Sequence, residues 1–146
     1  VELSFDDLLG MERHEEFITI ACVSNEVGGD LVGNAVWSGV LLRDLLALAG
    51  PDPAADQIVG RSVDGWTGGF PTATLDDGRP AMVAIAMNGE PLPIQHGQPL
   101  RLVVPGWYAV ASVKWLGEVE VIDGPVRCRF QAMSFPLSSN APATWS

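Results

Sequence analysis

Residues 91–117 read PLPIQHGQPLRLVVPGWYAVASVKWLG, and this stretch sets the architecture of the chain. Pro91, Pro93 and Pro99 have fixed φ angles and no amide proton, which keeps helices out. Leu100–Val104 and Ala109–Trp115 are apolar and rich in β-branched or aromatic residues, so both are expected as strands, with Pro105-Gly106 turning the chain between them. The stretch also lacks any Asp or Glu, although the overall composition would place about three there. It carries His96, Arg101 and Lys114 instead. Arg offers a planar fork and Lys a point charge, so this cationic island on an acidic chain suits a phosphorylated or otherwise anionic ligand. A buried sheet interior would explain the missing acids equally well. A lone histidine such as His96 is more often a satisfied core or turn residue.

Upstream, Met82–Met87 is an apolar strand ending in an Asn88-Gly89 turn. Gln57–Val63 is a strand leading to Asp64, and Gly65–Pro71 is a glycine-rich loop holding Trp66 and Phe70. Ser38 is placed to cap a helix beginning near Gly39, whose apolar face runs from Leu41 to Ala49, with Arg43 and Asp44 toward solvent and Gly50-Pro51 as its stop. Ser24–Gly33 is rich in turn formers, and Phe17–Val23 is a buried strand that delivers Cys22 near its end. Ser4 precedes the acids Asp6 and Asp7 in the manner of an N-cap, so a short helix closing at Gly10 is expected. Downstream, Glu118–Ile122 is a further strand. The fold class is therefore α+β, a mixed β-sheet domain with a few short helices over residues 1–125. Residues 126–146 read as a C-terminal extension or tail.

The composition bounds the function. The chain has 146 residues, 47% of them hydrophobic, and a mean hydropathy of +0.22, enough apolar content for one folded core. Eighteen acids against eight bases give a net charge of −10, a field that repels nucleic acid and anionic lipid. No apolar run approaches the roughly 20 residues of a spanning helix. The sequence opens at Val1 without a signal pattern, as an excised piece would, and localisation is not legible from it. Cys22 and Cys128 are too few for a disulfide scaffold and have no zinc spacing. Cys22 sits where a thiolate can be presented to a metal or substrate, although a buried inert cysteine is the commoner account. Cys128 lies between Arg127 and Arg129, which would lower its pKa, but a solvated strand end explains it more simply. Trp37, Trp66, Trp107 and Trp115 read as core or pocket walls. The common phosphate-loop, dinucleotide, zinc-protease and serine-hydrolase motifs are missing.

Five segments occur in a recognisable order. They are Thr19–Asn25, Ala35–Val40 followed by Leu42–Leu46, Met87–Pro93, His96–Gly106 and Ser112–Leu116. Together they resemble the molybdenum-cofactor domain of the sulfite oxidase family, including its bacterial members, from about Val1 to Val121. The resemblance implies a mixed α+β fold around a molybdopterin and two-electron oxygen-atom transfer on a small oxyanion, sulfoxide or related oxo compound. It places the family's molybdenum-ligating, catalytic cysteine at Cys22. It places the pterin-phosphate contacts at His96 and Arg101, and at Ser112, Val113 and Lys114, with a further pterin contact at Asp64. It also implies a small-molecule substrate and an unspecified electron-transfer partner. Membrane-associated and periplasmic relatives make an anchored or extracytoplasmic parent an expectation.

The chain departs from the family in three places. Glu26 and Val27 follow Asn25 where sulfite oxidases carry arginines, which speaks against sulfite. The active-site tyrosine position falls on Phe135 if Phe130-Gln131 is the aromatic-Gln pair that precedes it. An upstream segment with further cofactor contacts precedes the family's equivalent of Val1, so this piece alone is expected to be inactive and cofactor-free. A non-catalytic binding or structural module on the same fold is the alternative, and an anion-binding module using the basic island is a third.

Overall fold

The computed structural model describes residues 1–124. The expectations for the 126–146 extension, Cys128, Phe130-Gln131 and Phe135 lie outside the described residues.

Helix α1 spans Phe5–Gly10. The Ser4 hydroxyl accepts from the Asp7 amide at 3.1 Å and the Asp7 carboxylate accepts from the Ser4 amide at 2.8 Å, a reciprocal cap. The Ser4 hydroxyl also donates to the Asp7 carboxylate at 2.6 Å, and this bond, followed by the one from the Ser4 amide, holds the Asp7 carboxyl below its ordinary pKa. Strand β1, His14–Ala21, pairs antiparallel with β2, Val32–Leu41. Helix α2, Leu42–Ala49, follows β2 directly and ends at Gly50 in the left-handed conformation. Then come β3 (Gln57–Ser62), β4 (Thr67–Pro71), β5 (Met82–Met87), β6 (Glu90–Pro91), β7 (Arg101–Val103) and β8 (Leu116–Ile122). A five-stranded sheet runs β1-β2-β5-β6 with β7 also on β5, and a three-stranded sheet runs β4-β3-β8. The α+β reading with few short helices holds, and each described pairing is antiparallel.

Side-chain alternation divides the core in two. Val83 of β5 and Leu102 of β7 pack with Ile58, Phe70 and Val113 of the three-stranded sheet and its neighbours. Met82, Ala84 and Val103 point the other way and pack with Ile18, Ala35 and Trp37. Arg101 is two residues from Val103 on β7 and so emerges on the second face.

Four expectations are corrected. Phe17–Val23 is not a buried strand: β1 ends at Ala21, Ile18 is its one buried residue and Phe17 is 64% exposed, because β1 lies at a sheet edge among the described residues. Ser38 does not cap a helix, because β2 continues to Leu41 and α2 begins at Leu42 with no side-chain cap. The Leu42 amide instead donates to the Ala81 carbonyl at 2.9 Å, so the strand partner satisfies the helix start. Gly39, the expected helix start, pairs with Ala84 at a register shift in β2. A Cβ there would strike the Val83 carbonyl, so the glycine serves strand approach. The Gly65–Pro71 loop is largely β4, with Gly68 opposite Gly60 and the Val110 carbonyl and Val113 side chain occupying the space of its missing Cβ. Residues 109–115 are not a strand. Ala109–Ala111 forms a 3₁₀ turn, and Trp115 has φ 48°. The segment is tied to β7 by a bond from Leu102 N to Val113 O, and the start of β8 is tied to the residue before β7 by one from Leu116 N to Leu100 O, both 2.9 Å.

Candidate functional site

A cleft of about 470 Å³ opens where β7 meets the 3₁₀ turn Ile94–His96 and the curled segment before β8. Asp64, His96, Arg101, Ser112, Val113 and Lys114 all line it. The structure thus gathers six sequence-predicted residues in one place.

Arg101 is the deepest cation, with 8% of its surface exposed. Its Nε donates to the Ser112 carbonyl at 3.2 Å and its Nη1 to the His96 carbonyl at 3.4 Å. The guanidinium carbon stands 5.1 Å from the centroid of the Trp37 ring. Among the described residues no carboxylate comes within ion-pair distance of it. Burial pushes its pKa down to about 10, so it remains charged at neutral pH. Holding that cation out of water costs on the order of 3 kcal/mol. Lys114 donates from Nζ to the Gln95 carbonyl at 3.1 Å and lies 4.6 Å from the Trp115 ring centroid. Trp115 is itself fixed by an indole hydrogen bond to the Ile94 carbonyl at 2.9 Å. Burial, and then the charges of Arg101 and Lys114, lower the His96 pKa. At neutral pH the imidazole is therefore mostly uncharged and available for hydrogen bonding.

Gly97 lets these groups meet. It has φ 112°, and a Cβ there would lie 3.1 Å from Lys114 Cα and Cβ and 3.2 Å from Arg101 Cβ. Ser112 is buried, and its Oγ accepts from the Val104 amide at 3.1 Å, so the residue supports Arg101 through its carbonyl and β7 through its hydroxyl. Val113 lines the cleft as well as belonging to the core, and its carbonyl accepts from the Leu102 amide at 2.9 Å. Asp64 is at the exposed rim, where its carboxylate accepts from the Trp66 amide at 3.0 Å.

Cys22 is elsewhere. It is the first residue after β1, half-buried, with its amide donating to the Leu31 carbonyl at 2.8 Å and its carbonyl accepting from Asn25 at 3.0 Å. The Asn25 side chain accepts from the Leu31 amide at 2.8 Å and braces the loop. A second cleft of about 650 Å³ runs along the β1 edge, from Glu16 to its neighbour Ala21, and is walled by Pro105–Tyr108. Cys22 lines neither of these two clefts. Among the described residues no three or more His, Cys, Asp or Glu side chains cluster to hold a metal. The segment dividing the clefts is pinned by Arg79, whose Nη1 donates to the Pro105 carbonyl at 2.7 Å.

Sequence reasoning missed the carbonyls of Ile94 and Gln95, the spacing role of Gly97 and the place of Trp37 beneath Arg101. The first two follow from φ angles and the third from strand order, none of which local composition displays.

Residues 1–130 match the family described as the oxidoreductase molybdopterin binding domain. An uncharacterised oxidoreductase, YuiH, of Bacillus subtilis is 38% identical over 120 residues, covering 81% of this chain and 57% of that protein. Mitochondrial sulfite oxidase of Mus musculus is 35% identical over 144 residues, covering 83% of this chain and 26% of its own. An NADPH nitrate reductase of Fusarium oxysporum is 33% identical, covering 80% and 14%. The crystal structure of the sulfane dehydrogenase SoxCD from Paracoccus pantotrophus superposes with a TM-score of 0.80 at 29% identity, over 88% of this chain and 36% of that one. The chain thus spans between about a seventh and somewhat over half of these relatives.

Proposed function

The chain belongs to the molybdopterin-binding oxidoreductase domain family, and from that membership we propose that it is the part of a larger enzyme that anchors the phosphate end of a molybdenum-pterin cofactor. The observation that carries this reading is the buried Arg101 guanidinium, which has no carboxylate partner among the described residues and shares one cleft with His96 and Lys114. A cation kept out of water without a counter-ion is costly, and a phosphate supplies the missing charge. The donor set fits that end of the cofactor. Arg101 contributes a fork already oriented by two carbonyls, Lys114 a point charge, and neutral His96 a hydrogen bond. The Asp64 carboxylate at the rim suits the N–H groups of a heterocycle rather than a phosphate.

The metal end is assigned to Cys22, whose soft thiolate matches such a metal. When bound, the cofactor supplies two-electron oxygen-atom transfer. The substrate we propose is a small oxyanion, sulfoxide or related oxo compound other than sulfite, since acidic Glu26 and apolar Val27 stand beside Asn25.

The test is the molybdenum and pterin content of the full-length protein. Arg101→Ala is expected to lower cofactor occupancy far more than Arg43→Ala, whose side chain is exposed on α2. Equal occupancy in the two variants overturns the map. Full turnover in Cys22→Ser removes the role given to that thiol, and a stable, fully processed protein lacking metal and pterin favours the non-catalytic module.

A further inference from the structure

We propose that Trp37 is a positioning residue for Arg101: its ring takes the place of a counter-ion, holding the guanidinium in the cleft without cancelling the charge that an anionic ligand needs. The inference rests on the reading of the cleft as a phosphate site and deepens it. Trp37 lies on β2 and Arg101 on β7, on either side of β5. Alternation puts both on the second core face, where Ala84, the β5 residue paired with Arg101, is too small to separate them. The guanidinium carbon is 5.1 Å from the ring centroid, within the range of a favourable cation–π contact, and tryptophan is the strongest such partner.

A second observation distinguishes the ring from mere filling. Trp37 is 3% exposed, and its buried indole Nε1 has no hydrogen-bond partner among the described residues. Buried donors are normally paired, and a position needing only apolar volume would be filled without an orphaned N–H by phenylalanine or leucine. The indole face is what this position uses. An Asp or Glu beneath Arg101 would steady it as well, but would also compete with the ligand for the same charge. The polar contacts that remain, to the Ser112 and His96 carbonyls, are likewise neutral.

Sulfate is a suitable probe because its charge is constant across the accessible pH range. Its affinity for the full-length protein, prepared without cofactor, is measured by calorimetry, together with the hydrogen exchange of the Arg101 Nε–H by NMR. Trp37→Leu is expected to weaken sulfate binding about tenfold and to speed that exchange, and Trp37→Phe to do so about threefold. In an Arg101→Ala background the Trp37 variants should change nothing further. Site-specific fluorination of the Trp37 indole weakens the π face at nearly constant shape, so affinity should fall with each added fluorine even if Trp37→Leu does not fold. Unchanged affinity and exchange across the fluorinated series overturns the inference while leaving the phosphate reading intact. Absence of sulfate binding to the unsubstituted chain, or binding that survives Arg101→Ala, overturns both.

Discussion

Around Arg101, side chains from the 94–115 segment are each fastened to a backbone carbonyl before any ligand arrives: Arg101 to those of Ser112 and His96, Lys114 to that of Gln95, Trp115 to that of Ile94. Among the described residues, the loop from Cys22 to Leu31 is fastened by hydrogen bonds within itself, through Asn25 and Leu31, and Cys22 lines neither of the two clefts described. The difference teaches that the cleft around Arg101 is preorganised within one stretch of sequence, whereas the loop that carries Cys22 is braced, among the described residues, within itself. Preorganised charge is effective because its ordering cost is met during folding rather than at binding.

That contrast can be broken by experiment. The largest expected effect is Arg101→Ala, which should weaken sulfate binding on the order of 100-fold by removing charge-assisted hydrogen bonds. Calorimetry checks it, and retained binding would show that the anion sits elsewhere. Arg101→Met should lose binding equally yet raise the thermal midpoint, because an apolar side chain replaces an unpaired buried charge. A midpoint that falls would mean that the two carbonyl contacts outweigh desolvation. Gly97→Ala should weaken sulfate binding about tenfold and destabilise the chain by about 1–3 kcal/mol, since the new methyl meets Lys114 at a φ unsuited to alanine. Chemical denaturation and titration of the same variant report both effects.

The pH dependence sharpens the comparison further. The folded His96 pKa is lowered, so the unfolded chain takes up this proton first as pH falls below about 6.5. Without an anion, stability is therefore lost as pH falls through the folded value. With sulfate present the proton adds a third positive charge to the cleft, so affinity should rise several-fold between pH 7 and pH 5, and His96→Gln should remove the rise. The smallest effect is expected at the other region, where Cys22→Ser should leave sulfate affinity within about twofold of the parent chain. A larger change would couple the loop to the cleft.

Much of this was legible in the sequence for a physical reason. The run of residues 91–117 without acids marks the cleft because a charge void on an acidic chain survives folding unchanged, wherever the segment goes. Met82–Met87 and Asn88-Gly89 were legible because a buried strand and a left-handed turn are local properties, and Asn88 and Gly89 do take φ 53° and 80°. Residues 109–115 were misread because their apolar character suits both a strand and a buried 3₁₀ turn, and only the tie of Ser112 to Arg101 and Val104 decides between them. Gly39 and Gly68 look like breakers locally but serve close strand approach. Trp37 beneath Arg101 depends on β5 lying between β2 and β7, which no window of sequence contains.

The unpaired flank of β1 bears on how the chain behaves in concentrated solution. Among the described residues, β1 has only β2 beside it, and Phe17 stands 64% exposed between Glu16 and Ile18. An open ladder with an aromatic on it recruits other strands, and what opposes this is charge repulsion from neighbouring Glu15 and Glu16 together with a net charge of −10. Near the isoelectric point of about 4.3 that repulsion fades. Colloidal stability is therefore a property of neutral and alkaline buffers, and light scattering should grow on acidification before the fold itself is lost.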